Sequence, residues 1–394
     1  MALAAAGILG NRLRANPRLE LILFDRLTPE EQGPLRDLAR DPTFYGVLRP
    51  GAEGSGLTVK SADRDTALLV LTLREPGLLP SYVRAQLGAA VEPTLARLVA
   101  DGVLEVETGD GWVSGAAYLG LSRRQEPHRD GGRIAALSAA ALRYGQALAV
   151  DDPHLLAWRL YSYNRCPLTP VWQRLLPGPD QVQRWLGIDR GGAHRKALAA
   201  AWEPLAVDGW LGWQAWRRAG APGEGRAGGP TWKLYVSPRP EAMADGFGDV
   251  LAALTSARAF QFKIGRDAGG LLRPDKIVAY FASWESLAGA ADAVHARLAG
   301  APAQGVPFSA GIGGDGLLSW GVDPPDDERS GLGGERESWR VWVVQRLAWA
   351  LLSARNQPDR SVEPWRFALE RLGLEGVDTA TWTPSAALWK EGRS

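Results

Sequence analysis

The sequence predicts an α+β chain: an N-terminal winged helix-turn-helix, a helical middle segment, and a C-terminal ferredoxin-like β-α-β-β-α-β sheet with two closing helices. Three observations carry this reading. Val83, Leu87, Val91, Leu95, Leu98 and Val99 recur at helical three-and-four spacing, and residues 103–107 then alternate as a strand does. Residues 123–218 read as mostly helical, most clearly in HLLAWRLYSYNRCPLTPVWQRLL and DQVQRWLGI. Beyond residue 230, short alternating runs and two amphipathic segments follow in the order strand, helix, strand, strand, helix, strand.

In chain order, LELILFD (19–25) is a strand, and residues 28–40 form a helix with Thr28 and Glu31 at capping-box spacing. Residues 44–61 give two short strands around a glycine-rich turn, and DRDTALLVLTL (63–73) gives a helix. Pro80 starts the next helix, Gly88 and Gly102 stop that one and its successor, and GWVSG (111–115) returns as the second strand of the wing. AGAPGEGRAGGP (219–230) has no large apolar residue and is a flexible connection. The chain thus divides into a strand and helix (1–40), a winged-helix domain (41–118), a helical segment (119–218), the connection (219–230) and an α+β domain (231–394).

In the last domain the strands are WKLYV (232–236), FQFKI (260–264), IVAYF (277–281) and PFSAGI (307–312), and the helices span 241–257 and 283–300. The closing helices span 337–356 and 362–373. Alternation sends Trp232, Leu234, Val236, Phe260, Phe262, Ile264, Ile277, Ala279 and Phe281 towards the helices. The opposite face then carries Lys233, Tyr235, Gln261, Lys263, Lys276, Tyr280 and Ser309, with Arg266 and Arg273 in the neighbouring loop. Like charges side by side call for an anion. A solvated face, or one covered by the closing helices, is the alternative. GIGGDG (311–316) lacks the Lys-Ser/Thr ending of a P-loop and reads as a turn, whereas GLGGERESWR enters a helix whose free amides suit a phosphate near Arg340.

The 394 residues are 45% hydrophobic and 23% charged with a net charge of +1, so neither nucleic acid nor anionic membrane is favoured chain-wide. One cysteine, Cys166, excludes an intrachain disulfide, and four scattered histidines offer no metal-ligand spacing, so no metal and no organic cofactor is expected. No apolar run is long enough to span a bilayer and no signal peptide is evident, which fits the cytoplasm. Most winged helices bind DNA. Here Glu92 and Asp101 stand against Arg97 on the second helix, and the wing adds Glu105, Glu107 and Asp110, a surface that repels phosphates. A peptide is the expected partner, and a ligand-free helical bundle or a DNA-binding regulator are the competing readings.

Residues 44–107, from FYGVLRPGAEGSGLTVKS to VEPTLARLVADGVLEV, resemble the PqqD-like elements that bind leader peptides in the maturation of ribosomal peptide natural products. Residues 151–394 resemble the HopA-type effector family, which includes lyase-like components of class V lanthipeptide and thioamitide pathways; the resemblance rests on LYSYNRCPL, WKLYV, FQFKI, RPDKIVAYF, GVPFSAGI, LLSWGVDPP and ESWRVWVVQRLAWALL. In the late motif, Arg340 and Val343 stand where the family has glycine and arginine. The resemblance implies binding of a precursor peptide, elimination of phosphate from phosphorylated Ser or Thr, and a kinase-like maturation enzyme as partner. A leader would add a strand at LTVKS, touching Leu57 and Val59, and face Arg97 and Leu98 on the helix at 91–101. Elimination needs a base of lowered pKa, for which Lys263 or Lys233 serves, and Tyr235 or Tyr280 would protonate the leaving oxygen. The departing phosphate suits Arg266, Arg273 and Arg340, with Lys276 on the same face. The competing reading is a non-catalytic adaptor that presents the precursor to the kinase-like enzyme.

Overall fold

In the computed structural model the capping box closes as read: Thr28 Oγ1 accepts from the Glu31 amide at 3.3 Å, and Glu31 Oε2 accepts from the Thr28 amide at 2.8 Å. The helix it starts is far shorter than the expected 28–40. Gly33-Pro34 interrupts it, since proline brings no amide to the ladder, and the chain continues in 3-10 turns. The described residues are 7–51, 59–109, 111–121, 132–216, 230–324, 337–356 and 362–384. Most of the expected connection at 219–230 lies outside them.

The chain is a mixed α/β structure with several sheets and divides into two units, Met1–Glu126 with Arg346–Val377, and Pro127–Gln345 with Asp378–Ser394. The first unit runs β1 (Leu13–Ala15), β2 (Leu19–Leu23), α1 (Pro29–Gln32), β3 (Phe44–Pro50), β4 (Lys60–Asp63), α2 (Arg64–Thr72), α3 (Ser81–Leu87), α4 (Val91–Ala100), β5 (Leu104–Thr108), β6 (Gly111–Val113) and α5 (Gly115–Leu121). It holds two antiparallel sheets, β2-β3-β4 and β1-β5-β6. Asp63 caps α2 by accepting from the Thr66 amide at 2.7 Å. The helical spacing is realised in full: Val83, Leu87, Val91, Leu95, Leu98 and Val99 are all buried. Gly88 and Gly102, both at positive φ, end α3 and α4.

The second unit contains α6 (Gly132–Ala147), α7 (Pro153–Tyr161), α8 (Pro170–Leu175), α9 (Pro179–Trp185) and α10 (Arg195–Ala201). The stretch 154–176, among the clearest parts of the helical reading, holds two helices, α7 ending ahead of Asn164 at φ 68° and α8 starting at its Thr169 cap. The helical reading of 119–218 fails at its end. β7 (Trp202–Val207) and β8 (Trp210–Ala215) form a hairpin around Asp208-Gly209, with Gly209 at φ 75°. That dipeptide is a strong two-residue turn signal, and the tryptophan-rich flanks obscured it.

The hairpin joins β9 (Trp232–Val236), β10 (Gln261–Gly265), β11 (Ile277–Phe281), β12 (Ala310–Ile312) and β13 (Leu318–Val322) in one antiparallel sheet of order β12-β13-β9-β11-β10-β8-β7. The strand next to β9 is thus β13, not the expected run at 307–312. Only Ala310–Ile312 of that run is a strand, and it forms the outer edge. α11 (Met243–Ser256), the short α12 (Ala268–Leu271) and α13 (Trp284–Arg297) follow β9, β10 and β11 in turn. Phe247, Leu251 and Leu254 of α11 and Leu287 of α13 share one core with Leu234, Phe262, Ile264 and Phe281. Phe260 is the exception to the expected face. It sits beside the Tyr280 ring at 6.3 Å and outside that core. Of the closing helices, α14 (Trp339–Arg355) begins in this unit, and α15 (Pro364–Gly373) belongs to the first.

Phe262 is the keystone of this core, stacked on its cross-strand partner Trp213 at 4.9 Å and meeting Trp202 edge-on at 4.7 Å. Phe262→Ala is expected to cost ~3–5 kcal/mol, measured as a shift in the denaturant midpoint at unchanged slope.

Candidate active site

Register places the predicted polar side chains in two cross-strand rows. Lys233 and Gln261 flank Tyr280, and Tyr235 and Lys263 flank Val278. Lys233, Tyr235, Lys263 and Tyr280 do share the face opposite the helices. Part of that face is a second, small apolar cluster of Tyr235, Val278 and Val306, with Trp210 and Tyr280 packed against it. Trp210 comes from the hairpin that the sequence reading took for helix.

Asp275 sits just before β11 and is buried, as is Arg340, the second residue of α14. Arg273 donates to Asp275 through Nε and Nη2, both at 2.9 Å, and Arg340 Nη1 lies 2.9 Å from the same carboxylate. Tyr161, at the end of α7, donates its hydroxyl to Asp275 at 2.8 Å and accepts from Arg273 Nη2 at 3.1 Å. Burial by itself would raise the Asp275 pKa, but the Arg340 and Arg273 charges and the bonds from Arg273 and Tyr161 hold it well below the carboxylate range. Tyr161 goes the other way, pushed up to about 12 by burial and by the Asp275 charge.

The arginines therefore have little left for a ligand. Arg340 gives Nε to the Pro307 carbonyl (3.0 Å) and Nη2 to the Tyr161 carbonyl (2.9 Å), with its guanidinium over the Tyr161 ring. It is a structural cation in this state. Arg273 keeps Nη1, and its guanidinium lies 4.7 Å from the centre of the Trp210 ring.

The two lysines differ in the same decisive way. Lys233 is ion-paired with Asp323 at 2.6 Å. Lys263 has no hydrogen bond or ion pair among the described residues; its Nζ lies 4.5 Å from the Trp210 ring centre and 5.8 Å from that of Tyr280. Burial, and next the Lys233 charge, pull its pKa down to about 8. The Tyr235 and Tyr280 hydroxyls also lack polar partners among the described residues, and burial raises both pKa values well above that of a free phenol.

Other expected residues fall elsewhere. Lys276 is fully buried and donates to the Pro238 carbonyl (2.9 Å) and Gln304 Oε1 (2.5 Å), so it does not line the sheet face; burial lowers its pKa to about 7. Arg266 is exposed with no polar partner among the described residues. Ser309 is buried against the Val306 carbonyl and Ser319. In the first unit Leu57 lies outside the described residues, Val59 is exposed, Arg97 is half-buried, and Leu98 is a buried core residue with no surface to offer a ligand. The GLGGER loop ahead of α14 also lies outside the described residues. Tyr161, Trp210 and Asp323 were missed: each comes from a segment whose proximity to the sheet only the fold creates. Among the described residues no group of three or more His, Cys, Asp or Glu is placed to hold a metal ion, and no helix is long and apolar enough to cross a membrane.

No family model matches the sequence, and neither does any curated protein. Similar solved structures include effector proteins from Pseudomonas syringae pv. tomato strain DC3000 (11% identity, 66% of this chain and 99% of that one, TM-score 0.38) and pv. syringae strain 61 (11%, 66% and 100%, TM-score 0.37). Another is the phosphothreonine lyase SpvC, an effector protein from Salmonella (12%, 47% and 90%, TM-score 0.25). At these scores no residue of this chain is assigned a counterpart.

The chain has only six lysines, three of them in this region, so individual titrations are separable. After reductive 13C-methylation, the resonance lost in Lys263→Arg is expected to titrate at a midpoint of about 8. Because the Lys233 charge disfavours the ammonium form, Lys233→Gln should move that midpoint upward.

Proposed function

We propose that this protein eliminates phosphate from phosphorylated Ser or Thr in a peptide, leaving a dehydroamino acid. The observation that carries the reading is Lys263, an amine without a polar partner and with a lowered pKa, set among two unpaired phenols, a second lysine and one free guanidinium edge. A pKa of about 8 leaves about one amine in ten neutral at pH 7, enough for a base that must also be re-protonated each turnover.

In this mechanism neutral Lys263 takes the proton from Cα. The C–H electrons form the Cα=Cβ bond, and the Cβ–O bond breaks with its electrons leaving on phosphate. Charge that develops on the peptide carbonyl is met by Lys233, kept in place by Asp323. Arg273 Nη1 meets the phosphate. Tyr235 and Tyr280 hold their protons too firmly to be strong acids, so they donate hydrogen bonds to the leaving oxygen. The Lys263 ammonium then returns its proton to solvent.

The substrate class that fits best is a ribosomally made precursor whose leader binds residues 41–118, read as a PqqD-like winged-helix module. Support comes from β4, which has β3 on one side only and so offers a ladder edge, next to the exposed Val59. A kinase-like enzyme would supply the phosphate, and the adaptor reading differs in denying this chain any chemistry.

Incubation with a phosphothreonine peptide, followed by mass spectrometry, is expected to show loss of phosphoric acid. Lys263→Ala should slow this by ~10²–10⁴-fold. Equal loss with both proteins would remove Lys263 from the mechanism, and no loss with either would favour the adaptor. Arg273→Lys should weaken phosphopeptide binding, since an ammonium cannot both fork onto Asp275 and face the phosphate. Val59→Pro in the full chain should weaken leader binding and leave elimination from a leaderless phosphopeptide unchanged.

A further inference from the structure

Beside the candidate site, Trp158, Tyr161, Ser162, Arg165, Arg273 and Asp275 line a small pocket open to solvent. Trp158 is 56% exposed even though its indole lies nearly parallel to the Tyr161 ring, 6.0 Å away. Exposure of so large an apolar surface at a pocket wall is a feature of recognition sites.

Arg165 is held in place by its surroundings. Its Nη2 donates to the Gly269 carbonyl at 2.6 Å. The turn that presents it is fixed by Asn164, at φ 68°, whose side-chain amide donates to the Gln304 and Gly305 carbonyls, both at 2.9 Å, while Gln304 Nε2 returns a bond to the Asn164 carbonyl at 2.6 Å. No carboxylate among the described residues pairs with Arg165. The pocket therefore holds two guanidiniums and one carboxylate, and that carboxylate is already shared with Arg340. The lining side chains by themselves sum to a positive charge, and the Asp267 carboxylate, which also stands beside Gly269, makes no ion pair with Arg165.

Arg273 ties the pocket to the reacting groups. It and Lys263 both lie against the Trp210 ring, at 4.7 and 4.5 Å, so the Arg273 guanidinium is no more than about 9 Å from the base, a span that two residues of extended chain with a side chain cover.

We infer that this pocket is a specificity subsite for an acidic side chain of the substrate peptide, within two residues of the phosphorylated one, its carboxylate on Arg165 and its aliphatic stem on Trp158. This rests on the elimination reading for the identity of the substrate, but the pocket's preference is testable without turnover.

Three phosphothreonine peptides, otherwise glycine and serine, carry Glu, Gln or Lys at the flanking positions. With the wild-type chain, KM is expected to rise in the order Glu, Gln, Lys, by about two- to fivefold per step, the range of a solvent-exposed ion pair. Arg165→Ala should abolish the order and Arg165→Glu should invert it, with the thermal midpoint checking that each variant is folded. An order absent from the wild type, or surviving in Arg165→Ala, overturns the subsite. If no peptide is turned over, fluorescence anisotropy of the same labelled peptides separates the two claims. The same order in Kd, lost in Arg165→Ala, upholds the subsite while the lyase reading falls; flat binding overturns the subsite as well.

Discussion

One buried carboxylate organises the second unit's polar face. Asp275 receives Arg273, Arg340 and the Tyr161 hydroxyl, and thereby fastens a loop, the first turn of α14 and the end of α7 to one point beside the sheet. Burying such a group is expensive unless it is paired and hydrogen-bonded, and here three hydrogen bonds from Arg273 and Tyr161, together with the Arg340 charge, offset that cost. Taking away one partner of a buried pair costs ~3–5 kcal/mol because it strands the other. The arrangement therefore works as a rigid frame, with Arg340 fully enclosed in it and only one edge of Arg273 left facing outward.

Asp323 has a similar role on a smaller scale. It pairs with Lys233 at 2.6 Å and also accepts from the Trp339 amide at 3.3 Å, one residue before Arg340. The lysine on β9 and the start of α14 thus share an anchor. Lys263 has no such anchor among the described residues, and burial, then the Lys233 charge, lower its pKa.

Much of the fold was legible because it rests on local patterns. β9 and β11 form over the residues their alternation marked, and α11, α13 and α14 agree with the amphipathic runs to within a few residues. Lys233, Tyr235, Lys263 and Tyr280 share a face because strand alternation is a local rule. What could not be read was long-range. Lys276 has the right parity for that face, yet its amine turns to Pro238 and Gln304, groups far away in sequence. The acidity of the first unit misled in the same way: Glu105 and Glu107 on β5 are paired with Arg14 and Arg12 from β1 or beside it, and Asp101 with Arg371. Charges counted along one segment were cancelled by segments far from it, so the case against a polyanionic partner is weaker than the sequence suggested.

The hairpin of β7 and β8 has a consequence for where this chain can be shortened. Pairing of β8 with β10 makes the Lys263 strand an interior strand. A fragment starting after the 219–230 connection would keep every strand of the expected four-stranded motif but would lay bare the whole hydrogen-bonding edge of β10, together with the faces of Phe262 and Lys263 that Trp213 and Trp210 cover. Such an edge is a template for self-association. The boundary that composition marks most plainly is thus the wrong place to cut, and a fragment that keeps β10 covered has to retain the hairpin ahead of it.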